Sequence, residues 1–259
     1  MASNISPKAE VSPKAKIGDN CTIYPFVYIE DDVVIGDNCT IYPNVSIMNG
    51  TRMGDNNTVF QGSVISAIPQ DFAYTGEATE TVIGKGNIIR ENVVINRATH
   101  KGGKTVIGND NFLMEGSHVS HDTSIGNCCV LGYGAKVAGD CRIGHGVILS
   151  TTAIVNAKVR IGDLSMVQAS STVSKDVPPY IIAGGKPIAY GGPNRKLMAE
   201  AAMTEQIQKH VANAYRLLFH GQNSTFDAAL QIKSQVPDSE EIRNIISFLD
   251  STTLGIITK

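Results

Sequence analysis

Neither sign of charge dominates this chain. Across 259 residues, 22 Lys and Arg stand against 24 Asp and Glu, a net charge of -2. Without a basic excess, a nucleic-acid partner is not expected. No run of about 18 apolar residues occurs, which excludes a transmembrane helix. The opening Met1-Ala2-Ser3-Asn4-Ile5-Ser6-Pro7-Lys8 has no apolar signal core, so a cytoplasmic location is expected. The five cysteines, at 21, 39, 128, 129 and 141, form neither an even set nor a metal spacing. They read as reduced, small, semi-buried residues. A phosphate-binding P-loop, a GxSxG elbow and a cysteine-pair zinc motif are all missing. What remains is ordinary globular composition, 42% hydrophobic and 18% charged, which rules out wholesale disorder.

What the chain does have is a six-residue beat. Aliphatic residues recur at Ile5, Val11, Ile17, Ile23, Ile29, Ile35, Ile41, Ile47, Met53, Val59 and Ile65. The phase resumes at Ile83, Ile89 and Ile95, and runs again from Ile107 through Leu113, Val119, Ile125 and onward to Val173. Neither a helix nor an alternating strand has this period. Glycine often follows the aliphatic residue and proline sits two after it, marking corners. A stronger beat at 18, seen in the Ile-Gly or Met-Gly pairs at 17, 35 and 53 and again at 107, 125, 143 and 161, makes three hexads one coil of triangular section. The aliphatic side chain of each hexad points inward, and coils stack about 4.8 Å apart, the spacing of paired strands. The pattern implies a parallel β-helix over residues 1–193.

Two stretches interrupt the beat. Residues 66–82 and 96–106 put Asp71, Glu77 and Lys101 where aliphatic residues belong, and are expected to leave the prism as loops. Loops on a rigid scaffold are favoured places for a site, although tolerated insertions look the same. From residue 194 the pattern becomes helical. One helix is expected over 195–220, and two more, capped by Ser224 and Ser239, over 225–235 and 240–250. Residues 194–259 thus form a C-terminal α-helical domain.

The richest cluster of reactive side chains is His118-Val119-Ser120-His121-Asp122. Val119 is an inward residue of the beat, so His118 and Ser120 face outward and His121-Asp122 fall at the next corner. An imidazole beside a carboxylate can serve as a general base, and a surface turn with incidental histidines would carry the same letters.

The hexapeptide pattern resembles the left-handed parallel β-helix of the hexapeptide acyltransferases, and the handedness comes from that resemblance. The whole chain further resembles the UDP-N-acetylglucosamine O-acyltransferases, the family that opens lipid A biosynthesis. The residues that carry the likeness are Gln70-Asp71, Tyr74-Thr75-Gly76-Glu77, Ile89-Arg90-Glu91, Asn96-Arg97-Ala98-Thr99, the HxxHD run at 118–122, Ala138-Gly139, Asp176-Val177-Pro178-Pro179-Tyr180 and Asn213-Ala214-Tyr215. The resemblance implies transfer of an R-3-hydroxyacyl chain from acyl carrier protein to the 3-hydroxyl of UDP-N-acetylglucosamine, with no metal, cofactor or covalent enzyme intermediate. It implies a homotrimer with sites between prisms. It makes His121 the general base, Asp122 its orienting partner, His118 a sugar contact, and Gln70 and Asp71 contacts to sugar and acyl chain. Gly139 N–H would donate to the thioester carbonyl, Asn194 would touch the nucleotide, and Ala169, beside Gln168, would stop the acyl tail.

The chain departs from the family pattern in places. Ala73 stands where a lysine is usual, Asp140 and Asn156 where histidines are common, and Glu200-Ala201 where a basic pair is expected. How the diphosphate is held is therefore open, with Arg195 or Lys196 as substitutes. Lys196, Lys209 and Arg216 are candidate guides for an acidic carrier protein. Three rival readings exist. The sister glucosamine N-acyltransferases carry an extra N-terminal domain, for which hexads starting at Ile5 leave no room. A hexapeptide carbonic anhydrase would hold zinc with His118, His121 and His145. A binding solenoid would need no His-Asp pair beside a Gln-Asp loop.

Overall fold

Each six-residue step is two residues of strand followed by a corner. The corners explain the residue types. Three positions after most inward aliphatic residues the backbone turns left-handed, with positive φ at Asn20, Asn38, Asn56, Asn92, Asp110, Asp122 and Asp140, and at Gly62, Gly86, Gly116 and Gly134 among others. Glycine, asparagine and aspartate adopt that conformation at least cost. The computed structural model, which describes residues 2–221 and 224–259, stacks these steps into a triangular prism of three sheets.

The first face begins with Asn4–Ile5 and Thr22–Ile23, the second with Glu10–Val11 and Tyr28–Ile29, and the third with Lys16–Ile17 and Val33–Ile35. Strands within each face run parallel, in a register that sets aliphatic on aliphatic: Ile5 on Ile23, Ile95 on Val119, Ile125 on Ile143. The stacked side chains fill the prism, and Ile41, Ile47, Ile65, Ile95, Leu113, Val119 and Leu131 are fully buried. Truncating such a residue to alanine would cost roughly 2–5 kcal/mol. Only the first coil, with no coil beneath it, breaks the rule: Ile5 is exposed and Val11 and Ile17 are half-buried.

Polar groups inside the corners are paired from coil to coil. Asn87 Nδ2 and N–H donate to Asn57 Oδ1, Asn111 Nδ2 and N–H donate to Asn87 Oδ1, and Cys129 N–H donates to Asn111 Oδ1. The cysteines take the same inner positions. The thiols of Cys21, Cys39, Cys129 and Cys141 are buried and donate to the carbonyls of Gly36, Gly54, Gly144 and Asn156. Burial pushes the Cys39 and Cys141 thiols up to about 11 and Cys129 to about 12. Cys128 alone of the five is exposed.

Both interruptions leave the corner between the second and third faces. The register pairs Val59 with Ile89, a step of 30 where 18 is regular, so the first loop adds 12 residues. Ile89 then pairs with Leu113, a step of 24, so the second adds six. The loops are shorter than the broken pattern suggests. Strands Val64–Ala67 and Glu80–Ile83 bound the first, leaving 68–79, and Val94–Asn96 and Lys104–Ile107 bound the second, leaving 97–103. Strand pairing runs past the last inward aliphatic residue on these edges, which the six-residue beat cannot show.

Strand Ile181–Gly184 extends the first face and is followed antiparallel by Ala189–Pro193. Four helices come next: α1 (Arg195–Glu200), α2 (Glu205–His220), α3 (Thr225–Gln235) and α4 (Glu240–Asp250). The single helix expected over 195–220 is thus two. Thr204 ends the run by capping α2, its hydroxyl accepting from Ile207 N–H. Ser224 and Ser239 cap α3 and α4. The helices close the end of the prism. Tyr215 is fully buried and its hydroxyl donates to Pro179 O, Tyr190 stacks on Phe219 at 4.2 Å, and the Arg160 guanidinium lies 4.2 Å over Phe248 while donating to Ser251 O.

Candidate active site

The corner between the second and third faces gathers most of the reactive residues. Strand His118–Val119 belongs to the second face and Ser124–Ile125 to the third, so His121 and Asp122 form the turn itself. Asp122 occupies the left-handed position, φ 58°. There its carboxylate Oδ2 accepts from His121 Nδ1 at 2.9 Å. The same oxygen accepts the Thr99 hydroxyl at 2.7 Å and the Thr99 N–H at 3.0 Å, while Asp122 N–H donates to the Thr105 hydroxyl at 2.9 Å. Burial pushes the Asp122 carboxyl up, but the bonds from Thr99 and His121 outweigh it and hold the group below the ordinary carboxylate range. Asp122 is therefore ionised at neutral pH, and its contact with Nδ1 orients the His121 ring so that Nε2 points to the first loop.

The other side of the ring faces the first loop. Asp71 Oδ2 lies 3.4 Å from His121 Nε2, and its Oδ1 accepts from Ala73 N–H at 2.8 Å. Gln70 is exposed beside it. His118 lies half-buried on the second face, in register with Lys136. Burial, then the charge of Lys136, then His121, push its imidazole below the usual histidine range, so it stays neutral.

Gly139 holds the same position as His121, one coil further on. A Cβ built on it would stand 2.5 Å from His121 Cε1 and 2.7 Å from Nε2. Any side chain at this position would collide with the imidazole. Among the described residues the Gly139 N–H has no hydrogen-bond partner, and its carbonyl accepts from Lys158 N–H. The imidazole thus lies against Gly139 in a gap that only glycine leaves, and the Gly139 N–H is open.

Three expected site residues lie elsewhere. Gln168 and Ala169 are exposed at the corner between the first and second faces. Asn194 is buried and occupied as the cap of α1: its Oδ1 accepts from Leu197 N–H at 3.4 Å and its Nδ2 donates to Leu164 O at 3.0 Å. His145 sits at the third corner, where Nδ1 accepts from Asn127 N–H. Within one chain these residues do not meet His121. Conversely, the sequence reading assigned no role to Thr99 or Thr105, which hold Asp122. Thr105 is fully buried on a strand, and its hydroxyl is satisfied by the Asp122 N–H.

Comparison with known proteins adds the following. The family model described as Udp N-acetylglucosamine O-acyltransferase, Domain 2, matches residues 176–257, and the bacterial transferase hexapeptide model matches 14–49, 32–67 and 104–139. An acyl-[acyl-carrier-protein]--UDP-N-acetylglucosamine O-acyltransferase from Sulfurihydrogenibium sp. is 47% identical over 253 residues, 97% of this chain and 93% of that protein. The protein of the same name from Sulfurovum sp. is 41% identical over 255 residues, 98% of this chain and 97% of its own length. The structure of a UDP-N-acetylglucosamine acyltransferase from Bacteroides fragilis superposes with a TM-score of 0.96 at 45% identity, covering 98% of this chain and 99% of that one. The turn of the prism is accordingly the left-handed one.

Proposed function

The chain belongs to the UDP-N-acetylglucosamine O-acyltransferase family, and from that premise we propose that His121 is the general base of its reaction. The protein is an acyltransferase that moves an acyl chain from acyl carrier protein to UDP-N-acetylglucosamine, the first step of lipid A biosynthesis. One observation carries the assignment of the base: an imidazole oriented by an ionised Asp122 and packed against Gly139, whose N–H is unpaired among the described residues.

The chemistry follows from that geometry. The sugar 3-hydroxyl approaches His121 Nε2 beside Asp71 and gives up its proton as its oxygen attacks the thioester carbonyl. The carbonyl π electrons move onto oxygen, and the resulting oxyanion accepts from Gly139 N–H. Collapse of the tetrahedral intermediate reforms the carbonyl and breaks the carbon–sulfur bond. The imidazolium returns its proton to the departing thiolate, so the base is regenerated. Asp122 stabilises the imidazolium between the two transfers. Asp71 and Gln70 take neighbouring sugar hydroxyls and the first carbons of the acyl chain, and neutral His118 is a further sugar contact. We read the donor as an R-3-hydroxyacyl thioester.

The chain reads as two units, 1–193 and 194–259, working as a cytoplasmic homotrimer. A prism has no cleft of its own, and Gln168 and Ala169 at another corner and Asn194 at the start of α1 stand away from His121. A neighbouring copy brings such corners to the base, with closed symmetry the usual solution. In that arrangement Ala169, a small residue, leaves the acyl groove open to a long tail. Asn194 contributes to the nucleotide site by shaping the start of α1 rather than through a free amide. Lys196, Lys209 and Arg216, all exposed on the helices, are the guides for the carrier protein. The test is acyl transfer to UDP-N-acetylglucosamine from a set of carrier-protein thioesters, with the ester position determined in the product and the mass of the active species measured by light scattering. A product acylated at the 3-hydroxyl, made by a species of three chains, is expected. An active monomer would overturn the shared site.

A further inference from the structure

We propose that Arg97 is a positioning residue, which holds Asp71 against His121 by clamping the first loop through Tyr74. The proposal rests on the reading of His121 and Asp71 given above. Arg97 directly follows the strand Val94–Asn96, beside the corner from which the first loop departs. Its Nη2 and Nε donate to the Tyr74 hydroxyl at 2.9 and 3.3 Å, and the guanidinium lies 5.7 Å from the centre of the Tyr74 ring. Its Nη1 donates to Asn49 O and Ser66 O, both at 3.3 Å. Among the described residues no carboxylate comes within 4.0 Å of Arg97, so its whole fork is spent on neutral oxygens of three separate segments.

Those segments are the ones that place Asp71. Ser66 is the left-handed residue, φ 60°, at which the pairing of Val64–Ala67 shifts register and the chain turns out of the prism. Asn49 belongs to the coil before. Tyr74 N–H donates to Asp71 O at 3.2 Å, and Ala73 N–H to Asp71 Oδ1, so Asp71 and Tyr74 form one tight turn. The Tyr74 hydroxyl in turn donates to Glu77 O at 3.1 Å. Pinning Tyr74 therefore fixes the turn, and with it the Asp71 oxygen that faces Nε2. Asn96 adds a hold at the loop's first residue through Nδ2 to Ile68 O at 2.8 Å. Two residues after Arg97, Thr99 grips Asp122. The tetrapeptide Asn96-Arg97-Ala98-Thr99 thus reaches the carboxylates on both sides of the imidazole: Asp122 directly and Asp71 through the loop.

A lysine cannot reproduce this, because one ammonium does not span acceptors lying in three directions as a planar fork does. Arg97→Lys and Tyr74→Phe are each expected to lower kcat/KM for UDP-N-acetylglucosamine roughly ten-fold, mainly through KM. The deciding measurement repeats both changes in an Asp71→Asn background. A residue that acts by placing Asp71 has little left to lose there, and the further loss should be under about two-fold, with the thermal midpoint following the single variants. An undiminished ten-fold loss in that background would overturn the clamp and leave Arg97 a scaffold residue. Wild-type kinetics in Asp71→Asn alone would instead remove Asp71 from the site and the clamp's purpose with it, while His121 would stand.

Discussion

Two corners of the prism treat the same backbone N–H in opposite ways. At the corner between the third and first faces, the N–H two residues after the inward aliphatic is capped by the side chain at the same position one coil on. Asp37 accepts from Asp19 N–H, Asp55 from Asp37, Asn109 from Lys85, Asn127 from Asn109, His145 from Asn127 and Asp163 from His145, all between 2.7 and 3.0 Å. At the corner between the second and third faces, His121 is followed by Gly139 and Gly139 by Ala157, neither of which carries an acceptor. The backbone path is the same. One hexad position, filled by aspartate, asparagine and His145, makes a wall; filled by histidine, glycine and alanine, it leaves an imidazole beside a glycine whose N–H is open.

The sharpest test of that division is to remove the imidazole. His121→Ala should lower turnover by roughly 10²–10⁴-fold, the usual worth of a general base. His121 is no inward aliphatic, so the thermal midpoint should stay near the wild-type value. Near-normal turnover would take His121 out of the mechanism.

A second change copies the wall onto the site. Ala157→Asn puts an acceptor one coil beyond Gly139, as Asn127 stands one coil beyond Asn109. If the new side chain takes the Gly139 N–H, kcat should fall on the order of 10²-fold, as for loss of an oxyanion donor, with stability unchanged or slightly raised. Full activity in a folded Ala157→Asn enzyme would mean that the open N–H is not the oxyanion donor.

The converse change damages the inner ladder and spares the site. Asn87→Ala leaves both the N–H and the Nδ2 of buried Asn111 without their acceptor. Stability should fall by about 3 kcal/mol, since each buried unsatisfied group costs about 1–3 kcal/mol. Turnover per folded enzyme should hold, as read by denaturant unfolding alongside active-site-normalised kinetics.

What sequence alone revealed follows the same line. The walls were legible because a stacked fold repeats its environment every coil. Val119 and Ile125 announce their burial by period, and the His-Asp pair could be placed at a corner from Val119 alone. The site's support was not legible, because it comes from contacts with no period. Thr99 reaches Asp122 across 23 residues and Arg97 reaches Tyr74 across the same span, through loops whose ends the broken beat set too wide. The end of α1 was hidden for another reason. Leu197, Met198, Ala201, Ala202 and Ile207 keep an apolar spacing straight through the break, and only Thr204 followed by Glu205 marked a new N-terminus. Asn194, a nucleotide contact by resemblance, caps α1 with its amide bonded to Leu197 N–H and Leu164 O, which the sequence pattern did not show.

The smallest expected effect separates the two histidines of the site. His121 lies between carboxylates, whereas His118 is desolvated and faces the cations of Lys136 and, when protonated, His121. Its folded proton affinity is therefore below the unfolded value of about 6.5. Unfolded chains bind the proton first, so His118 costs nothing above about pH 6.5 and subtracts stability as pH falls below it, levelling off under the folded value. Asp122 acts with the same sign in a lower window, because its depressed carboxyl gives up its contribution only as pH falls below the ordinary carboxylate range, near 3.8. Between pH 7.5 and 5 the two are separable. His118→Gln should lose less stability over that interval than the wild type. Urea midpoints at the two pH values decide it. Parallel losses in both proteins would show that the folded chain accepts a proton on His118 as readily as the unfolded one, and burial beside Lys136 would then have no energetic consequence.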